Sequence, residues 1–221
     1  MGTATLRIAG RSTHVEVDGR PGAELTVVGG RTEVRDDGAI EITPTASRVR
    51  VTCPEHLDVV VSTASGNVHL RGHLASVKVM TSSGKVTVER AVDVDVRTRS
   101  GSVGIESCVH TCRVVTTSGS VSVGDAHDVG VSTSSAKVRI GRTDVADVQT
   151  TSGSMVVGAG AWARVAARSM SGRIEIDLPQ GSAATMMLSS RSGRIERGVP
   201  EGEGATVDAS TMSGAIRIGT R

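Results

Sequence analysis

The 221-residue chain contains no phenylalanine and no tyrosine, and Trp162 is its one tryptophan. Aromatic rings fill the thickness of an ordinary globular core, so a core without them must be narrow and lined by small aliphatic chains. Cysteine is scarce: Cys53, Cys108 and Cys112 are an odd number, which argues against a full disulfide framework and fits reduced thiols in a cytoplasmic protein. Neither charge sign dominates. Lys plus Arg number 25 and Asp plus Glu 23, a net of +2, without the basic excess of a nucleic-acid binder. No apolar run approaches the ~18 residues of a membrane span, and Met1–Ile8 has no apolar stretch of the kind a signal peptide carries. The expected setting is therefore cytoplasmic, with no membrane span and no nucleic-acid partner.

What the chain does have is glycine, 27 residues, about 12% against a usual ~7%. Many of these glycines keep time. Gly66, Gly84, Gly101, Gly119, Ala136, Gly153, Gly172, Gly193 and Gly214 each follow a serine and recur every 17 to 21 residues. Strand residues alternate faces with period two. Seven, five and three residues before the marker stand Val59, Val61, Thr63, then Val77, Val79, Thr81, and in the last repeat Val207, Ala209, Thr211. Two and four residues after it stand Val86 and Val88, Val103 and Ile105, Ile174 and Ile176, Ile216 and Ile218. These positions share one face, the inside. Each repeat is thus two short strands meeting at a Ser-Gly corner, and it can bury its apolar face only by stacking on its neighbours. The predicted architecture is an all-β, single-stranded parallel β-solenoid of nine rungs over residues 58–221. Residues 1–57 show less regular pairs, such as Leu6/Ile8 and Val49/Val51. They read as degenerate rungs continuous with the rest or as an atypical cap, the former preferred.

The repeated Thr-x-Ser-Gly-x-[Val/Ile]-x-[Val/Ile] motif resembles the bacterial β-strand-repeat family of candidate adhesins, a domain family of unknown function. The last third carries the likeness best: Ser169-Met170-Ser171-Gly172-Arg173-Ile174-Glu175-Ile176, then Asp177-Leu178-Pro179-Gln180-Gly181 and Ser192-Gly193-Arg194-Ile195. Val51-Thr52-Cys53-Pro54-Glu55-His56-Leu57, leading to Ser65-Gly66, is similar to the family's approach to its repeats. The resemblance spans nearly the whole chain and implies a right-handed parallel β-helix or roll. It supplies no catalytic residues.

Candidate chemistry is sparse. The threonine row Thr81, Thr98, Thr116, Thr133 and Thr150 suggests an ice-binding array, but its parity turns the hydroxyls inward, where they are expected to bond the corner backbone and each other. Cys108, His110 and Cys112, with His127 nearby, are possible metal ligands. Cys112 occupies a core place and is more simply a small hydrophobe, so no metal and no cofactor are expected. Lys85, Lys137, Arg139, Arg173 and Arg194 form a broken basic stripe that could meet a polyanion. The solitary Trp162 reads as a cover for a solenoid edge. The chain has no clustered acids and bases on long loops, and it reads as a non-enzyme.

The remaining feature is the last rung, ending Ile216-Arg217-Ile218-Gly219-Thr220-Arg221. An open rung exposes strand edges, so Arg217 and Ile218 are expected to pair with another chain, giving a homo-oligomer through the solenoid ends. The overall expectation is a scaffold or interaction protein with an unknown protein partner, possible self-association included; the alternative is a binding module for a polyanion or metal.

Overall fold

A computed structural model of the chain describes residues 4–221. Among these residues there is no helix, and sixteen strands are present: β1 (Thr5–Gly10), β2 (His14–Arg20), β3 (Thr26–Val28), β4 (Gly30–Val34), β5 (Ile40–Pro44), β6 (Arg48–Pro54), β7 (Asp58–Ser65), β8 (Val68–Ser83), β9 (Val86–Ser100), β10 (Val103–Thr150), β11 (Met155–Ser169), β12 (Ile174–Leu178), β13 (Ala184–Ser190), β14 (Ile195–Arg197), β15 (Ala205–Thr211) and β16 (Ile216–Thr220). The chain divides into two compact units, Met1–Val109 and His110–Arg221.

The repeat is realised as stacked rungs in parallel register. In the first unit Val59 pairs with Val77 and Val77 with Val94, while Val68 pairs with Val86 and Leu70 with Val88. In the second unit one column runs Val138, Met155, Ile174, Ile216, Ile195. Facing it is the column Val148, Ala167, Ala209, Leu188. Apart from Leu188 and Ile195, these side chains are at most 2% exposed. Burying such a chain stabilises by about 1.5–3 kcal/mol, and with no ring to accommodate, the two walls of each rung can close on valine and isoleucine alone. Strands β8, β9 and β11 pass unbroken through the second bend of their rungs, and β10 runs on through two marker corners as well, Ser118-Gly119 and Ser135-Ala136, which is why it reaches 48 residues.

The Ser-Gly corners fall into two classes. At Gly66, Gly84 and Gly119 φ is positive, +144°, +137° and +125°. There the hydroxyls of Thr63, Thr81 and Thr116 donate to the carbonyls of Ser65, Ser83 and Ser118 at 3.2, 3.1 and 2.9 Å. At Gly101, Ala136, Gly153, Gly172 and Gly214 φ is not positive. The corresponding buried hydroxyls of Thr98, Thr133, Thr150, Ser169 and Thr211 have no protein hydrogen-bond partner. The corner φ sets which way the Ser–Gly peptide faces, and only the first setting turns the serine carbonyl toward the threonine. At the remaining corner, Gly193, φ is not positive either, and the Ser190 hydroxyl donates to the Gly214 carbonyl of the neighbouring rung at 3.0 Å. The expected bond to the corner's own serine carbonyl therefore forms only where φ is positive. Ala136 stands in the second class, where a side chain carries no φ penalty.

At both extremes of the strand order the stacking departs from the chain order. β1 lies between β5 and β7, and β2 between β6 and β8. Residues 5–20 and 40–54 are thus rungs, stacked in reverse of their sequence order. Outside them β3 and β4 run antiparallel to β6 and β5. At the other extreme β16 lies between β12 and β14, and β15 between β11 and β13. The last rung in sequence is consequently not an edge. Arg217 pairs with Glu175 on one side and Glu196 on the other, and Ile218 is 1% exposed. The expected open edge at Arg217 and Ile218 is corrected by this topology: the rung of β13 and β14 occupies that place.

Candidate interaction edge

β13 pairs with β15 and β14 with β16, each on one side only among the described strands. Their inward residues Met186, Leu188 and Ile195 are only half-buried, whereas Val207, Ala209 and Ile216, one rung in, are buried. Protection is limited to the start of β13, where the Ala184 N–H donates to the Pro200 carbonyl and the Gly202 N–H to the Ala184 carbonyl. From Ala184 to Ser190 the strand carries no charge and no proline. Met187, on its outer face, is 70% exposed. The opposite extreme is managed differently. There β4 carries Arg31 and Glu33, and the adjoining turn is tied down by Arg35 to Glu41 and by Arg7 to Asp37 at 3.1 Å.

The sequence did hold a signal for this edge. Four residues after the marker, the buried rungs place Leu70, Val88, Ile105, Val123, Ile140, Val157, Ile176 and Ile218. The rung of Gly193 places Arg197 there, and it is exposed. A charge at a core register position marks a rung with only one neighbour.

The other candidates lie elsewhere. Cys112 is fully buried, and Cys108 is buried with its thiol 3.4 Å from the Val92 carbonyl. His110 is exposed, and it lies with both cysteines inside β10. Among the described residues no group of three or more His, Cys, Asp or Glu is placed to hold a metal ion. His127 instead meets Asp144 at 3.0 Å on the surface. Thr143 does not complete a triad with them, because its hydroxyl donates to the Val145 and His127 carbonyls. Of the basic residues, Arg194 faces Glu196 at 3.6 Å and Arg217 faces Glu175 at 2.7 Å. Lys85 lies in the first unit; in the second, Lys137, Arg139 and Arg173 make no ion pair among the described residues. Trp162, expected to cover an edge, is 78% exposed on the bulge between Ala159 and Arg164. A shallow groove of about 240 Å³ crosses the second unit beside Gly130, lined by Arg113, Asp128, Asp147 and Gln149. The Gln149 amide donates to Asp147 there at 3.2 Å.

Cys53 and Glu16 are among the groups whose titration is shifted. Burial, and then the Asp18 carboxylate, push the Cys53 thiol up to about 11. The hydrogen bond from Arg50 holds the Glu16 carboxyl below its ordinary value.

The stacked-rung geometry has counterparts. The family model for Toastrack DUF4097 matches residues 34–221. The chain belongs to this family. No function is established for the Toastrack domain. No curated protein matches the chain. Among solved structures, a candidate adhesin from Bacteroides fragilis is 13% identical, with 98% of this chain and 93% of that one covered and a TM-score of 0.47. A candidate cell adhesion protein from Clostridium sporogenes is 10% identical, with 99% and 93% covered and a TM-score of 0.24. No helix among the described residues of this Toastrack chain is long and apolar enough to cross a membrane.

Proposed function

We propose that the chain is a non-enzymatic interaction scaffold, a right-handed parallel solenoid whose free edge, β13 and β14, takes up a strand from another polypeptide. The observation that carries this is one-sided pairing combined with half-exposed core residues at Met186, Leu188 and Ile195. Natural sheets blunt such edges with charge, proline or a cover, and β13 has neither charge nor proline. Strand addition to an exposed edge is a common recognition mode: main-chain bonds supply affinity and alternate side chains supply specificity. Self-association is one form of it. The right hand follows from the preference of parallel crossovers. Cys53, Cys108 and Cys112, buried and odd in number, support a cytoplasmic setting. The non-enzymatic reading is supported by an exposed His127–Asp144 pair whose neighbouring hydroxyl is committed to backbone carbonyls.

The test places lysines on the outer face of β13, where both native side chains are exposed: Met187→Lys with Ser189→Lys. In a native extract the wild-type chain elutes in an assembly larger than its 22.6 kDa, and the double variant elutes as the free monomer. Elution of both as monomer refutes the reading. A second reading, a polyanion site, is favoured by the unpaired Lys137, Arg139 and Arg173. It predicts salt-sensitive retention on heparin that is lost in the triple alanine variant.

A further inference from the structure

We infer that the strand taken up by this edge is β14 of a second copy, related by a twofold axis through Ile195. The inference rests on the interaction-edge reading and adds the partner and its register.

Backbone direction comes first. The Arg194 carbonyl accepts from the Ile216 N–H at 2.9 Å, and the Gly198 N–H donates to the Ile218 carbonyl at 2.8 Å. These groups point at β16. Backbone groups alternate along a paired strand, so the N–H and C=O of Ile195 and Arg197 point the other way, to the free edge. A residue presenting both groups outward can sit directly opposite an identical residue of an antiparallel strand, the two exchanging both bonds. An isologous twofold contact requires this self-complementarity. The antiparallel sense has a precedent in the chain itself, where β3 and β4 pair in that sense with the terminal rung of the other extreme.

Charge then chooses among the registers the backbone permits. With Ile195 opposite Ile195 of the second copy, Arg194 faces Glu196 of the other strand, and the symmetry repeats the pair. With Arg197 on the axis, two guanidinium groups face each other. With Ile195 opposite Arg197, two Glu196 carboxylates meet. Opposite charges across a strand pair stabilise and like charges destabilise, so only the first register is electrostatically self-consistent. Arg194 and Glu196 are available for it, with side chains 80% and 53% exposed. The uncharged β13 edge beside them adds no repulsion. The same contact covers Ile195, whose counterparts Ile216 and Ile174 are fully buried within the stack.

The experiment is sedimentation velocity on the purified full chain over a concentration series from 1 to on the order of 100 μM, for wild type, Arg194→Glu, Glu196→Arg and the double exchange. The expected result is a wild-type dimer whose dissociation constant rises at least tenfold in each single variant and returns to within about threefold of wild type in the double. Circular dichroism melts of the single variants check that the fold persists. A wild-type monomer throughout, or single reversals without effect, overturns the inference. A purified monomer that still enters an edge-dependent assembly in extract refutes the twofold partner alone; a monomer in both settings refutes the interaction edge itself.

Discussion

Replacing a corner threonine by valine should have opposite consequences in the two corner classes. Valine keeps the shape of threonine and substitutes a methyl for the hydroxyl. Thr116 and Thr150 both lie in the second unit and both are buried, at 4% and 7% exposure. Thr116 donates to the Ser118 carbonyl at 2.9 Å, whereas Thr150 has no partner. A satisfied hydrogen bond contributes about 0.5–1.5 kcal/mol net, and a buried unsatisfied polar group costs about 1–3 kcal/mol. Thr116→Val should therefore lose roughly 1 kcal/mol, and Thr150→Val should gain 1–3 kcal/mol, a separation of about 2–4 kcal/mol. In a chain of this length 1 kcal/mol corresponds to about 2–4 °C in Tm, so the sign is readable by calorimetry as well as by urea midpoints. Thr81→Val against Thr98→Val repeats the comparison within the first unit. If paired and orphan variants move in the same direction by similar amounts, the link between corner φ and hydroxyl satisfaction is wrong.

Two further outcomes follow from the corners and the core. Gly84→Ala puts a side chain at φ +137° and drives its Cβ against the Gly66 carbonyl, so it should destabilise by about 2 kcal/mol or more. The reverse change Ala136→Gly, at a corner without positive φ, should cost only about 0.4–1 kcal/mol; urea melts that rank the two equally would refute the division of corners. The second outcome concerns Cys53, raised from 9.0 to about 11 in the fold. Between these values the folded thiol keeps a proton that the unfolded one loses, so its contribution is intact below pH 9 and falls as pH rises toward 11. The loss is on the order of 2–3 kcal/mol; urea melts from pH 8 to 11 should show it in wild type and not in Cys53→Ala.

The rung itself was legible because it is written in two local signals, the Ser-Gly corner and the parity of valines around it. Val59, Val77 and Val94 pair in the register that this spacing dictates. Which rung lies beside which was not legible at the extremes. The pattern of Val207 and Ala209 fits against Val165 and Ala167 about as well as Met186 and Leu188 would, since narrow aliphatic rungs are nearly interchangeable in shape. Only Arg197, charged at a core register, separates the edge rung from its neighbour. The orphan hydroxyls were illegible for another reason. Thr98 and Thr116 stand in the same motif, and what divides them is a peptide orientation that the following glycine permits either way.

The displaced order of the rungs also bears on how the chain can come into being. A solenoid stacked in sequence order can add each rung as it leaves the ribosome. Here β13 and β14 have no seat when they emerge, because the surface they rest on is made by β15 and β16, synthesised later. β1 and β2 face the mirror problem, since the rung that flanks them at the outer side, β5 and β6, comes only after the excursion through β3 and β4. Each extreme therefore closes as a unit of two rungs rather than by zipping. During synthesis, the uncharged strand Ala184–Ser190 waits unpaired until Thr211 has been added.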